Sequence, residues 1–338
     1  MSGVSTIGLD LAKNVFQVHG SDVSGTVTLR KKRRREQVLK FFATQPACTV
    51  AMEACASSHH WGREIAKFGH RIRLIAPAYV KPFVKRQKND AADAEAICEA
   101  AQRPTMRFVA MKTEEQQAAA IVFRARDLLV RQRTQIINAI RGHLAEFGSI
   151  VAKGPCHVAK LLAKIADIPT MAQPILQLLA DQLRSLDEKI TQLDQELAHR
   201  VKEDEQAKRL MTVPGIGPIT ATALVALAPT AQAFKKGRDF AGWLGLTPLQ
   251  RSTGGKQRLG ETSRMGERTL RRLLIIGASA AVRWARRKGK GSSNPWLMNI
   301  LSRKPPMLVI VTLANKMARI VWALMARGGI YRAPAVVG

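Results

Sequence analysis

Ser5-Thr-Ile-Gly-Leu-Asp-Leu-Ala-Lys-Asn-Val-Phe-Gln-Val-His19 reads as two short apolar strands with a polar turn between them, and Asp10 stands where the first strand ends. Working outward, strands are expected at Ser5–Leu9, Val15–His19 and Thr26–Leu29, the last two separated by the turn residues of Asp22–Gly25. A helix through Glu36–Phe42 and an apolar strand Thr49–Met52 come next. Another helix near Trp61–Phe68 stops at Gly69, and a strand Ile72–Ile75 halts before Pro77. Asp90–Ala101 is alanine-rich and helical, closed by Pro104.

Three strands followed by helix–strand alternation is the order of a ribonuclease H-like α/β fold. Beyond it the chain turns helical. Leu176, Leu179, Leu183, Leu186, Ile190, Leu193 and Leu197 recur at alternating three- and four-residue steps, the a/d seam of a coiled coil. A second long helix is expected from Glu114 to about Phe147, joined to the first through residues around Gly154–Pro155 and Pro169. The two helices either pair antiparallel within one chain or also zip two chains together. The last third opens with Leu210-Met-Thr-Val-Pro-Gly-Ile-Gly-Pro-Ile-Thr-Ala221, which has the look of a helix-hairpin-helix. Gly215 and Gly217 would let the backbone approach a phosphate near a helix N-terminus. An ordinary tight turn between core helices is the plainer use of the same residues. Helices Leu270–Arg287 and Met307–Met325 follow, with a basic loop over Lys288–Asn294. The domain division expected is 1–112, an α/β catalytic domain; 113–205, a helical coiled-coil region; and 206–338, a mostly helical C-terminal domain.

The 338 residues carry 54 Lys and Arg against 25 Asp and Glu, a net charge of +29. From Gln206 onward the chain holds 23 basic and 3 acidic residues. So lopsided a field calls for a polyanion, nucleic acid first, and the C-terminal third supplies most of the attraction. Arg251, Lys256, Arg258, Arg264, Arg268 and Arg271 are the expected phosphate-binding cations there. Apolar stretches such as Leu273–Val282 fall short of the ~18 residues of a membrane span, so no membrane is expected. Cysteines 48, 55, 98 and 156 form no CxxC pair, and the N-terminus has no signal-peptide pattern. A cytoplasmic, nucleoid-associated setting in a bacterium fits these features. Trp243, Trp284, Trp296 and Trp322 could stack on bases, but in helical surroundings the core is their expected place.

Four acids punctuate the N-terminal region. Asp10 ends the first strand, Glu53 ends the fourth in Val50-Ala-Met-Glu-Ala-Cys55, and Asp90 and Asp93 share one face of a helix start. Singly, each has a structural use: Asp10 in a turn, Asp90 as an N-cap, Glu53 paired with an arginine. Together they are costly unless a cation sits among them. Hard oxygen ligands suit Mg2+ or Mn2+, and two such ions could clamp a phosphate for in-line displacement. A zinc site at Cys55, His59 and His60 lacks a second ligand pair.

Gly-Leu-Asp-Leu-Ala-Lys, Met-Glu-Ala and Asn-Asp-Ala-Ala-Asp-Ala resemble the DEDD motifs of transposases of the insertion sequence 110 family, whose first domain is similar to the RuvC Holliday-junction resolvase. Pro214-Gly-Ile-Gly-Pro, Gly245-Leu-Thr-Pro248, Ser252-Thr-Gly-Gly-Lys256 and Arg264-Met-Gly-Glu-Arg-Thr-Leu-Arg271 resemble that family's second domain. Ala314-Asn-Lys-Met-Ala-Arg-Ile-Val-Trp322 is similar to the subgroup named after insertion sequence 1111. The resemblance implies a DNA recombinase in which Asp10, Glu53, Asp90 and Asp93 bind the divalent ions. It implies Ser252 as the nucleophile that links covalently to DNA; Thr253 stands where a second serine is frequent. It further implies a structured guide RNA from the element's own non-coding end, and assembly as a homodimer or homotetramer. Independently, a serine beside two glycines and flanked by Arg251, Lys256 and Arg258 is chemically apt for phosphodiester attack, since the cations offset the developing charge. No base adjoins Ser252 in sequence, so its activation is expected from the acid pocket of its own or another chain.

Three other readings remain at this point. A RuvC-like nuclease using water would form no protein–DNA adduct. An actin-like ATPase has a similar first phosphate loop at Gly8–Lys13, though Ala12 and Lys13 replace its usual Gly and Thr. A non-catalytic nucleic-acid-binding protein would need none of the four acids.

Overall fold

The computed structural model describes residues 3–85, 89–288 and 294–333. The chain divides into two compact units, Met1–Gln117 and Ala118–Gly338. The basic loop expected over Lys288–Asn294 lies largely outside the described residues.

The first unit is built on a six-stranded sheet. Its strands are β1 (Thr6–Asp10), β2 (Val15–Ser21), β3 (Val27–Arg34), β4 (Thr49–Glu53), β5 (Arg71–Ile75) and β6 (Phe108–Val109), in the order β3-β2-β1-β4-β5-β6. The first three pair antiparallel, β1, β4 and β5 run parallel, and β6 closes the far edge antiparallel. Helices α1 (Val38–Ala43), α2 (Ser58–Ala66), α3 (Pro77–Val80) and α4 (Asp90–Ala101) complete this unit. Period-two alternation sorts the strand residues between two faces. Ile7, Leu9, Phe16, Val18, Val50 and Met52 pack with Phe41, Phe42, Trp61 and Ile65 of α1 and α2. Ala51 and Ile75, on the other face, pack with Ala96, Ile97, Ala100 and Ala101 of α4. Small side chains dominate α4 because it lies close on the sheet. The mixed sheet with helices on both faces fits the ribonuclease H-like expectation, and β3 runs five residues beyond the strand end expected at Leu29.

Among the described residues, the regular structure of the second unit is helical apart from one hairpin. Helix α5 (Glu114–Glu146) begins in the first unit and continues here; α6 (Val158–Ala163) and two short 3₁₀ turns occupy the connection, and α7 spans Gln173–Glu203. Arg126 pairs with Asp194, and Arg133 with Asp187 at 3.1 Å. Seven residues forward on one helix match seven back on the other, so α5 and α7 run antiparallel. Ile140 and Leu144 of α5 share a core with Leu161, Ile165, Leu176, Ala180 and Leu183. The leucine seam is thus covered within its own chain: Leu176, Leu183, Leu186, Ile190 and Leu197 are buried and Leu179 and Leu193 half-buried. That favours the intrachain alternative, which the spacing alone leaves level with the intersubunit one.

Then come α8 (Glu205–Met211), α9 (Pro218–Leu227), α10 (Gly237–Trp243), the hairpin β7 (Pro248–Gln250) and β8 (Leu259–Thr262), α11 (Arg268–Lys288), α12 (Pro295–Leu301) and α13 (Pro306–Arg327). Helix α13 corrects the expectation from apolar stretches, because by length and composition it is apolar enough to cross a bilayer. Its burial explains the composition: Val309, Ile310, Leu313, Ala314, Met317, Ala318 and Val321 belong to the largest core, with Leu224, Phe240, Leu270 and Leu274. Trp243, Trp296 and Trp322 pack against that core, and Trp322 donates Nε1–H to Ala231 O at 3.1 Å. Trp284 departs from the expectation and is 53% exposed.

Candidate active site

The C-terminal ends of β1 and β4 adjoin, because Leu9 pairs with Met52 and the next residues are Asp10 and Glu53. Both acids project to the face covered by α4. Asp10 also pairs with Gln17, and Glu53 with Ile75, so one row crosses the sheet at this end. Asp90 and Asp93 occupy the first turn of α4, where the helix dipole favours negative charge. The N-cap is Asn89, not Asp90: its side chain accepts from Ala92 N at 2.9 Å. Asp90 is thereby left exposed and available to a ligand.

Gly8, two residues before Asp10, sets how near α4 comes. A Cβ there would lie 2.2 Å from Ala94 O and 2.5 Å from Cys98 N. Only glycine permits this backbone approach, and Asp93, next to Ala94 in the chain, is the largest of the charges acting on Asp10. The signal for this role in the sequence is an isolated glycine among apolar strand residues, which marks a close approach without saying what approaches.

Burial, then the charges of Asp93, Asp90 and Glu53, push Asp10 up to about 6, against a smaller opposing hydrogen bond from the Leu11 backbone. All three charges acting on it are negative. Grouped hard carboxylate oxygens have the donor chemistry of a magnesium- or manganese-type site. Among the described residues, however, no three His, Cys, Asp or Glu side chains are arranged to hold an ion. The four acids are electrostatic neighbours that do not close a coordination shell by themselves.

Ser252 sits on the exposed β7–β8 hairpin. Thr253 N and O bond Lys256 O and N at 3.3 and 3.0 Å, enclosing the two-residue turn Gly254-Gly255. Their φ values, +53° and +74°, are the positive pair that a type I′ turn demands. Ser252 Oγ accepts from Arg258 N at 3.1 Å, which orients the hydroxyl and leaves its proton free to be given up. Arg251, Lys256 and Arg258 are exposed around it.

The hairpin rises from an interlocked base. A Cβ on Gly245 would lie 2.1 Å from Met265 O, and one on Gly266 1.7 Å from Trp243 O. Arg271 Nη1 donates to Leu244 O at 3.1 Å and Met265 O at 2.7 Å, and Asn315 Nδ2 donates to Leu246 O at 3.0 Å. Arg271, expected on nucleic acid, is therefore engaged in holding these two loops together. Arg264 takes a positive φ of 54° and lies 3.6 Å from Glu261, while Arg268 opens α11. Gly215 likewise serves packing, since its Cβ would lie 2.7 Å from Gly277 O and the turn seats directly on α11. A Cβ on Gly217 would meet nothing within 4 Å, and of the two glycines this one has the open approach.

Comparison with known proteins identifies the family. Residues 7–148 match the family model described as a DEDD transposase, and residues 207–292 match the one described as Transposase IS116/IS110/IS902 family. A protein of Pseudomonas aeruginosa named a probable family 20 transposase is 49% identical over 335 residues, covering 97% of this chain and 99% of the relative. The transposase for insertion sequence element IS1328 of Yersinia enterocolitica is 40% identical over 98% of this chain and 99% of its own length. The transposase for insertion sequence element IS1111A of Coxiella burnetii is 37% identical over 99% of this chain and 93% of its own. A mixed α/β unit ending in four grouped acids, a serine hairpin on a helical unit and full-length likeness lead to one conclusion: this chain belongs to the IS110/IS116/IS902 family of transposases.

Proposed function

We propose that this transposase moves its element by cleaving and rejoining DNA at two cooperating groups of residues, the acids Asp10, Glu53, Asp90 and Asp93 and the nucleophile Ser252. The observation that carries the reading is the grouping of Glu53, Asp90 and Asp93 around Asp10, whose charges add to the effect of burial in pushing that acid up to about 6. A protein of charge +29 keeps such a cluster against its own interest unless it serves a cation. Asp10 and Glu53 would hold one side of a divalent ion pair from the strand ends, and Asp90 and Asp93 the other from α4. When bound, Mg2+ or Mn2+ neutralises charge on the scissile phosphate.

Ser252 Oγ loses its proton and attacks a backbone phosphorus, forming a serine phosphoester while the neighbouring strand end leaves as a hydroxyl. Attack by a hydroxyl of the partner strand reverses the step and releases Ser252. Phosphodiester bonds are exchanged one for one, so no nucleotide hydrolysis is required. Arg251, Lys256 and Arg258 would stabilise the charge that builds on the phosphate. Arg264 and Arg268 are proposed phosphate contacts, with Gly217 giving the turn before α9 its close approach. Arg271 and Gly215 act by positioning. The working division is catalytic residues 1–112, a helical region 113–205 and a C-terminal transposase domain 206–338. The proposed partners are element-end and target DNA and an element-encoded guide RNA, with a homodimer or homotetramer as the acting form in the bacterial nucleoid.

Cleavage of element-end DNA tests the acid group. Asp10→Asn and, separately, EDTA should each abolish cleavage while DNA binding persists, since binding rests on the basic surfaces. Normal strand cleavage by Asp10→Asn would exclude the metal role.

A further inference from the structure

Strand β3 has an edge position and an unusual composition. Arg30-Lys-Lys-Arg-Arg-Arg35 are six consecutive cations, five of them within the strand. Alternation divides them between two faces. Arg33 lies over the Phe41 ring at 5.0 Å and Arg35 over Trp61 at 5.1 Å, so the odd-numbered residues belong to the face of α1 and α2. Arg30 lies 3.6 Å from Glu95 of α4, so Arg30, Lys32 and Arg34 belong to the face of the acids.

Register makes this more specific. Asp10 pairs with Gln17 and Gln17 with Lys32, which puts Lys32 in the cross-strand row of Asp10 and Glu53. Two strand spacings of about 4.8 Å place the Lys32 backbone about 10 Å from that of Asp10. Strands β1 and β3 both run antiparallel to β2, so Arg34 lies further toward the same end of the sheet as the acids. Glu95 occupies Arg30 and also Lys85. Lys32 and Arg34 are exposed, and among the described residues neither forms an ion pair.

We propose that Lys32 and Arg34 form a phosphate rail for the DNA strand that enters the acid site, binding backbone phosphates beside the one cleaved. The proposal rests on the reading of Asp10 and its neighbours as the cleaving centre. The occupant follows from continuity: one sheet face carries the acids and, two strands away, unpaired cations. The acids alone repel a phosphate backbone, and a flanking pair of cations on the same face offsets that repulsion. Neither residue touches the reacting atoms; both are positioning residues.

The alternation supplies its own control, because Lys31 is equally exposed and one residue away but faces α1 and α2. Binding of the full-length protein to a short fluorescein-labelled DNA duplex is followed by anisotropy across a sodium chloride series. Each lost phosphate contact lowers the slope of log affinity against log salt by about 0.9, so Lys32→Ala should lose about 0.9 and Lys32→Ala/Arg34→Ala about 1.8. Lys31→Ala should keep the wild-type slope. An unchanged slope in the double variant overturns the rail. An equal loss in Lys31→Ala also overturns it, since the effect would then be diffuse charge. A loss seen with an RNA duplex but not with DNA overturns the choice of occupant. A thermal midpoint equal to wild type checks that the variants are folded. Failure of the cleaving-centre reading shows separately, as normal cleavage by Asp10→Asn, and leaves the slopes unaffected.

Discussion

Asp10 is the residue at which function opposes stability. Its folded-state value of about 6 lies above the ordinary 3.8, so the folded chain binds the proton more tightly than the unfolded chain. That contribution is fully present below about pH 3.8, and it is lost as pH rises through about 6. At neutral pH the ionised cluster therefore weakens the fold, and on the proposed reading a bound cation would offset this. Asp10→Asn should raise the thermal midpoint of the metal-free protein at pH 7.5 and leave it nearly unchanged at pH 3.5. The wild type should gain stability on adding Mg2+ or Mn2+, as binding to the folded state requires, and the variant much less. Differential scanning fluorimetry at both pH values measures this; a variant less stable than wild type at pH 7.5 would contradict it.

Gly8 is the complementary case, a residue with no chemistry that places the chemistry of others. An added methyl would lie 2.2 Å from a carbonyl of α4, and neither backbone can yield cheaply. Gly8→Ala should cost more than the ~1–3 kcal/mol of ordinary overpacking and separate Asp93 from Asp10. Urea denaturation gives the first quantity, and loss of metal-induced stabilisation reports the second. Wild-type values for both would show that α4 can retreat without consequence.

At the scale of elements, the strands and helices around the acids were legible because each follows a simple period with clear stops. Asp90–Ala101 is helical over the full range expected, since a run of alanines between Asn89 and the residues before Pro104 admits little else. The four acids were legible for the same reason: they fall where strands end and a helix begins. Harder to read were effects set by tertiary approach. Nothing local to Arg271 says that its guanidinium will be used on Leu244 and Met265 carbonyls instead of phosphate. Gly215 and Gly277 meet only after α11 folds back, 62 positions along the chain. The leucine seam had the right period for either of two partners, and Arg126–Asp194 and Arg133–Asp187 identify the intrachain one. It follows that Leu186→Glu, at a site 2% exposed, acts first on folding. An unpaired buried charge there should cost about 3–5 kcal/mol. Chemical denaturation should show that loss; a fully stable variant whose mass by light scattering falls by half would instead make the seam an intersubunit contact.

The whole molecule pairs a net charge of +29 with a group of acids around Asp10. The composition already pointed to a polyanionic partner, and the register of β3 adds that part of the charge lies on the acids' own face. Ser252 was singled out by resemblance, with the neighbouring glycines and cations as independent support, because a hydroxyl on an exposed Gly-Gly hairpin with no adjoining base does not by itself mark a nucleophile. Its surroundings supply cations and an oriented Oγ, and the chemistry remains a property of the full chain on DNA. Covalent attachment through Ser252 is therefore tested by incubating full-length protein with labelled element-end DNA and a divalent metal, then resolving products on a denaturing gel. Wild type and Thr253→Ala should give a labelled band at the mass of protein plus DNA, and Ser252→Ala, though it binds DNA, should give none. An adduct that persists in Ser252→Ala, or wild-type cleavage that yields free DNA ends with no adduct, would exclude Ser252 as the nucleophile.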